Sequence, residues 1–376
     1  MKRTLALVSL LTLSSAAYAL DDNVIRITQD KSSVKIIDAT FTENNVFKVV
    51  GDKAYGRKII NGKLISFIYD IKTGETSIFK NDIYQDYLQQ DAVNEKGVFA
   101  FSGIINNSIE IDVILWDGNN TIVYDDVYYD ALEQLYSLYP DYTVHIAEIN
   151  IGDVNDKKDV SGHFKVFVDG GPDLGEFQLT IGFIVSHNEE LTIFAPDDVL
   201  GEGYAAYNIG AIDNNGVGYG FKNTYDGSNL FNTKTGNISP EPIYSNAYND
   251  FFSTYKEQKT ASFAGEGYLY DKNNTPYKIT VSNPSPMEGC QISEPVLTEG
   301  KYITNWGGCV VNLKTKKFTN YSDIISEYLD ENSPGYSYDK KSSRVHVSKN
   351  GKKLFASLLN HESNESYSKN IIIDIK

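Results

Sequence analysis

Phe67-Ile68-Tyr69 runs into Asp70-Ile71-Lys72-Thr73-Gly74: an apolar, β-forming segment stops at a polar turn, and another β-rich segment follows. The unit recurs. Val113-Ile114-Leu115-Trp116 meets Asp117-Gly118-Asn119-Asn120, Phe183-Ile184-Val185 meets Ser186-His187-Asn188-Glu189, and Leu230-Phe231 meets Asn232-Thr233-Lys234-Thr235-Gly236. Tyr268-Leu269-Tyr270 precedes Asp271-Lys272-Asn273-Asn274, Val310-Val311 precedes Asn312-Leu313-Lys314-Thr315-Lys316, and Ile371-Ile372-Ile373 precedes Asp374. Anchored on residues 70, 117, 186, 232, 271, 312 and 374, these seven copies are spaced by 47, 69, 46, 39, 41 and 62 residues. Periods near 40 to 50 residues, each holding several short strands, point to propeller blades.

A second turn lies upstream of most copies. Val93-Asn94-Glu95-Lys96-Gly97-Val98, Val154 to Val160, Ile212-Asp213-Asn214-Asn215-Gly216-Val217 and Val347-Ser348-Lys349-Asn350-Gly351 each set Asn, Asp, Ser or Gly between β-formers, as hairpin turns do. The order in a unit is then strand A, the Asn/Gly turn, strand B, a variable loop, strand C, the Asp/Lys/Thr/Gly turn and strand D. The predicted fold is all-β: a β-propeller of seven four-stranded blades with short helical inserts on one face. A pair of β-sandwiches or a β-solenoid also suits turns at this spacing. The last copy ends at Lys376 after its third strand, whereas Val24 to Thr28 and Ser33 to Ile37 read as strands without a blade. One of these is expected to complete the last blade and so close the ring, removing exposed edges.

The Asn-x-x-Gly-Val turn before an apolar strand, and the strand ending in Trp116-Asp117-Gly118, resemble the extracellular repeat proteins of the HAF type. The resemblance covers four of the seven units. It implies a secreted, propeller-like array and transfers no catalytic residue.

At the N-terminus, Lys2 and Arg3 precede an apolar stretch from Leu5 to Leu13 and then Ala17-Tyr18-Ala19, the three parts of a secretory leader. Residues 1–19 are therefore expected to be removed, leaving residues 20–376 as a periplasmic or secreted propeller domain. The apolar stretch is too short to span a bilayer, and no later segment approaches the roughly 20 apolar residues that a transmembrane helix needs. Loss of the two basic residues takes the formal charge from −16 to −18. Such a surface repels phosphate backbones, and no basic stripe with interleaved aromatics appears, so a nucleic acid partner is not expected. Cys290 and Cys309, the two cysteines, are expected to form a disulfide in an oxidising compartment, worth about 3 kcal/mol by loop entropy.

Function is expected where the repeat is irregular. Between strand D of one unit and strand A of the next lie Tyr-rich segments read as partly helical: Asp82 to Gln90, Asp125 to Pro140, Asn246 to Tyr255 and Ser322 to Leu329. The clearest is the second, where Val127, Ala131, Leu132, Leu135 and Leu138 follow helical spacing. Leu and Ile in these inserts read as docking residues. Tyr84, Tyr87, Tyr128, Tyr129, Tyr136, Tyr248 and Tyr328 read as contacts for a glycan or protein, because tyrosine is rigid and amphipathic.

Catalytic signatures are missing from the sequence: it has no G-x-S-x-G elbow, H-E-x-x-H pair, Walker loop or dinucleotide fingerprint. No cofactor or metal is implied. His145, His163, His187, His346 and His361 are scattered, and Asp153-x-Asn155 with Asp159 reads as a hairpin turn, since Lys157 occupies the fifth position of a calcium loop, which needs an oxygen ligand, and Lys158 the sixth, which needs Gly. Asp125, Asp126, Asp173, Asp197, Asp198 and Asp226 are candidates for a carboxylate pair. Two functions remain open: a non-catalytic binding propeller using its Tyr-rich face, or a polysaccharide hydrolase or lyase using carboxylates in the central funnel of that face.

Overall fold

The computed structural model describes residues 23–30, 32, 34–42, 45–60, 63–80, 84–87, 92–105, 110–171, 175–196, 206–224, 227–237, 250–255, 257–263, 266–273, 275–281, 295–305, 307–338, 345–360 and 369–376. The expected leader lies outside these residues.

Two N-terminal strands, β1 (Val24–Gln29) and β2 (Ile36–Thr42), precede the first complete sheet. That sheet is β3 (Asn45–Val50), β4 (Lys53–Ile60), β5 (Lys63–Asp70) and β6 (Thr76–Ile78), paired antiparallel in chain order. Blade 2 has an interrupted inner strand, β7 (Tyr84–Tyr87) and β8 (Ala92–Val93), both paired with β9 (Phe99–Ile105), then β10 (Ile111–Trp116) and β11 (Thr121–Tyr124). Helix α1 (Val127–Leu138) leads to blade 3: β12 (Thr143–Val154), β13 (Val160–Asp169), β14 (Glu176–Val185) and β15 (Leu191–Phe194). Blade 4 is β16 (Ala206–Ile212), β17 (Gly218–Thr224), β18 (Gly227–Asn232) and β19 (Gly236–Asn237), and blade 5 is β20 (Asp250–Tyr255), β21 (Gln258–Phe263), β22 (Glu266–Tyr270) and β23 (Pro276–Val281). Blade 6 is β24 (Val296–Thr298), β25 (Tyr302–Thr304), β26 (Cys309–Asn312) and β27 (Lys317–Asn320), followed by helix α2 (Tyr321–Asn332). Blade 7 again splits its inner strand, β28 (Tyr336–Ser337) and β29 (Val345–Val347), along β30 (Lys353–Asn360), before β31 (Lys369–Ile375).

The blades touch in sequence around a ring, with β7 packed on β5 between blades 1 and 2. β12 packs on β8 and β9, β16 on β12, β20 on β16, β24 on β20 and β29 on β25, and β3 packs on β29, which brings blade 7 back to blade 1. Apolar clusters fill most of the blade-to-blade seams. Phe79, Phe99, Phe101 and Trp116 make edge contacts between blades 1 and 2, and Ile149, Phe164 and Phe183 belong to the cluster under blades 2 and 3. Seven four-stranded sheets joined face to face in a closed ring are a β-propeller.

Both N-terminal strands lie on outer edges. β2 pairs antiparallel with β31, Thr40 opposite Ile372, and supplies the fourth strand of blade 7. β1 has a different place: it runs parallel to β23 of blade 5 through Val24 to Ile27, then parallel to β27 of blade 6 through Thr28 and Gln29. Ile27 is fully buried there with Leu269 and Ile279 of blade 5 and Leu297, Ile303 and Phe318 of blade 6.

The two families of turns are built by one device. Asp70, Asp117, Asn232, Asp271 and Asn312 each accept the backbone N–H groups two and three or four residues on, closing the C–D hairpins. Asn94, Asn155 and Asp213 do the same for A–B hairpins, and the fourth turn residue has positive φ: Gly97 at 80°, Lys158 at 75° and Gly216 at 78°. The segment around Asp153, Asn155 and Asp159 is thus the β12–β13 hairpin turn.

Two of the four expected helical inserts are strands. Within Asp82 to Gln90 the backbone of Tyr84 and Tyr87 pairs with Ile105 and Gly103, and within Asn246 to Tyr255 residues Asp250–Tyr255 form β20, the inner strand of blade 5. Aromatic residues fit a pleated ladder at least as well as a helix, so an unpaired neighbouring strand decides the outcome.

Candidate functional site

Both helices connect the outer strand of one blade to the inner strand of the next. Such connections lie opposite the A–B and C–D hairpins, so α1 and α2 share a face of the propeller. α1 buries Val127, Tyr128, Ala131 and Leu135 in the core beneath blades 2 and 3. Its C-terminal end is tied down by the Tyr139 hydroxyl, which donates to the Pro196 carbonyl at 2.8 Å, and by Gln134 Nε2, which donates to the Leu191 carbonyl at 3.2 Å. The opposite side of the helix is open: Tyr129 is 52% and Tyr136 46% exposed. Tyr129 donates to a carboxylate oxygen of Glu110, which raises the phenol pKa, and Tyr136 donates to the Val144 carbonyl at 3.2 Å. Each hydroxyl is thereby held while about half of the residue stays open to solvent.

The other tyrosines fare differently. Tyr128, read from sequence as a contact, is only 2% exposed and packs edge-on against Tyr129 with centroids 5.5 Å apart, so it is a core residue. The reason is its position beside Val127 and Ala131 on the apolar stripe. In α2, Tyr321, Ile325 and Leu329 are buried, Asn320 caps the first turn by accepting the Ser322 N–H at 3.1 Å, and Tyr328 packs partly buried against the same blade 7 core. Tyr84 and Tyr87 belong to β7, with side chains outside the described residues, and Tyr248 lies wholly outside them. The helix face thus presents Tyr129 and Tyr136 together.

The end of the ring carrying the short turns holds a set of buried polar groups that the sequence marks, at most, as turn residues. Asp153, at the end of inner strand β12, is 4% exposed. Its Oδ1 accepts the Val154 N–H at 2.9 Å, and its Oδ2 accepts the Thr254 hydroxyl at 2.8 Å and the Ile212 N–H at 3.3 Å. Blades 3, 4 and 5 are joined at this carboxylate. Burial raises its pKa, against the charge of Lys48 and these hydrogen bonds. Lys48 of blade 1 donates to the Val93 carbonyl of blade 2, Asn94 Nδ2 donates to the Asn155 carbonyl at 2.8 Å, and Asn155 Nδ2 donates to the Asp213 carbonyl at 2.8 Å. Glu299 of blade 6 accepts the Gly51 N–H of blade 1 at 2.9 Å and pairs with Lys349 of blade 7 at 3.4 Å. Two cavities beside Lys48, Asn94 and Thr254 measure about 10 and 20 Å³, room for single waters and not for a substrate. The belt is a fastening between blades. Its members are single polar residues at strand ends, which no local pattern distinguishes from a turn.

Two further groups titrate in unusual settings. Lys259 of β21 is 1% exposed, its ammonium 4.1 Å over the Tyr219 ring and donating to the Glu257 carbonyl at 3.0 Å. Burial lowers its pKa to about 8 against the charges of Asp213, Glu257 and Asp271. Asp159 is buried, which pushes its pKa up, but Asn155 Nδ2 and the ring and backbone N–H of His187 hold it below the ordinary carboxylate value.

Of the remaining candidates, Asp125 and Asp126 are exposed at the start of α1, while Asp173, Asp197, Asp198 and Asp226 lie outside the described residues, as does His361. His163 contacts Asn208 at 3.1 Å, and burial lowers its pKa; His346 is buried in β29 and His145 exposed on β12. No group of three or more His, Cys, Asp or Glu able to hold a metal occurs among the described residues, and no described helix is long and apolar enough to cross a membrane. Cys309 is buried in β26, and Cys290 lies outside the described residues.

Neither a family model nor a curated protein matches the sequence. Among solved structures the chain is similar to an acylaminoacyl peptidase (10% identity, 90% of this chain and 52% of that one, TM-score 0.47). It is also similar to an oligogalacturonate lyase in complex with manganese (9%, 93% and 95%, TM-score 0.46) and to the Dos1 propeller (11%, 93% and 83%, TM-score 0.34). Likenesses this distant carry nothing about substrate or chemistry.

Proposed function

We propose that this chain is an exported binding propeller, periplasmic or secreted, that engages a glycan or a protein through the face bearing α1 and α2. The observation that carries the reading is the pair of half-exposed tyrosines, Tyr129 and Tyr136, fixed by their own hydroxyl hydrogen bonds on a helix docked onto two blades. Ordered aromatic anchors lose little conformational freedom on binding, which is why they recur at contact centres. The opposite face repeats one turn device whose side chains are used up inside the turns and between blades.

A glycan array and a pull-down from cell-envelope extract, run side by side with the parent protein and point variants, test the proposal. Tyr129→Ala and Tyr136→Ala should weaken capture, by roughly tenfold or more for a true anchor. Substitutions at Lys72, Asn119 or Lys234 on the hairpin face should leave it unchanged. The opposite pattern would place the site on the hairpin face and end the proposal.

A further inference from the structure

We infer that the outward side of α1 receives a cationic stretch of a protein partner, with Lys and Arg side chains laid over Tyr129 and Tyr136. The inference rests on the helix face being the contact surface and names what that surface takes. Along the helix, Asp126, Asp130 and Glu133 follow one another at i, i+4 and i+7, with Tyr129 and Tyr136, also seven apart, in the adjoining row. Asp126 and Glu133 are exposed and Asp130 half-buried.

Asp126 holds the N-cap position and Asp130 stands in the first turn, where the dipole favours carboxylates, whereas Glu133 lies a turn further in and no basic residue follows in the last turn. The imbalance extends beyond the helix: between Lys96 and Lys157 the chain has no Lys or Arg, and of the eleven Asp and Glu there only Asp117, Asp153 and Asp156 stand at the opposite, hairpin end. That stretch makes most of blade 2, α1 and the inner strand of blade 3.

An acidic row beside two half-exposed tyrosines suits a cation in two ways. The carboxylates attract it over a Debye length and the ring faces hold it at contact. A neutral glycan would use the rings and gain nothing from the carboxylates. A polyanion would be repelled by them.

The probe is a lysine decamer, titrated into the mature protein by calorimetry at low and at physiological salt. Binding should weaken as salt is added, and Glu133→Lys and Tyr136→Ala should each weaken it by about tenfold or more. The control is Glu75→Lys, which makes the same change in net charge on an exposed residue of a C–D turn, at the other end of the ring. It should shift binding less than twofold. Equal losses from Glu75→Lys and Glu133→Lys would mean attraction to the acidic protein at large and would overturn the inference, as would no binding at low salt. An array signal from a neutral oligosaccharide that is lost in Tyr136→Ala, with no response to the decamer, would also overturn it while leaving the helix face as the contact surface. Unchanged near-ultraviolet circular dichroism confirms that each variant is folded.

Discussion

Gly152→Ala is the sharpest test of how the blades are joined. Gly152 lies in β12 where that strand faces β16, and a Cβ built there falls 2.3 Å from the Ile209 carbonyl oxygen and 3.0 Å from the Gly210 Cα. A carbon–oxygen contact needs about 3.3 Å, so the inner strands of blades 3 and 4 must part by roughly 1 Å. Both obstacles are backbone and no rotamer relieves them. Overpacking of this kind costs about 1–3 kcal/mol. The same displacement stretches the bonds bridging the two blades, from Ile212 N–H to Asp153 Oδ2 at 3.3 Å and from Asn155 Nδ2 to the Asp213 carbonyl at 2.8 Å. Each buried bond lost adds about 1 kcal/mol, so the total expected is roughly 3–5 kcal/mol. Urea unfolding followed by fluorescence measures it. Gly335→Ala is the control, since a Cβ there meets nothing within 4 Å and its φ is not positive. A Gly152→Ala protein within about 1 kcal/mol of the parent, or one no worse than Gly335→Ala, would falsify the tight inner-strand seam.

Two further outcomes are expected. Lys259 has its folded pKa lowered to about 8 from 10.5, so the unfolded chain holds the extra proton between those values. Stability should therefore rise as pH goes from about 8 to 10.5, by at most about 3 kcal/mol, and Lys259→Met should flatten that rise; identical slopes in parent and variant would show that Lys259 is not buried as a cation. We also propose that Cys290 and Cys309 are joined: thiol titration of denatured, unreduced protein should find no free thiol, and two would sink the pairing.

The propeller was legible because its turns carry their own chemistry. An Asp or Asn that accepts N–H groups two and three or four residues on leaves the same trace in sequence wherever it occurs, and Asp70, Asp117, Asn232, Asp271 and Asn312 mark five blades this way. α1 and α2 were readable from apolar residues at helical spacing. β7 and β20 were not, because their aromatic residues suit a strand as well as a helix and a paired neighbour, β9 for one and β21 for the other, decides their conformation. The same limit applies to the site. The exposure of Tyr136 beside a buried Tyr128 depends on which side of α1 meets the core, whereas the belt of Lys48, Asp153, Thr254 and Glu299 comes from blades far apart in the chain. The place of β1 between two blades had no signal in its residues, Val24–Gln29, beyond a tendency to form a strand.

That placement sets an order of events in time. β1 and β2 leave the ribosome early, yet their ladder partners are Lys278 to Val281, Lys317 to Phe318 and Asn370 to Ile375. Nearly the whole chain must emerge before its first strands have anywhere to go. Contacts of such sequence separation are slow to form, and until they do the outer edges of blades 5, 6 and 7 stand open to other chains. A nascent copy is thus most exposed to misassembly at the end of its synthesis, and a chaperone that shields strand edges would be needed longest by the segment made first.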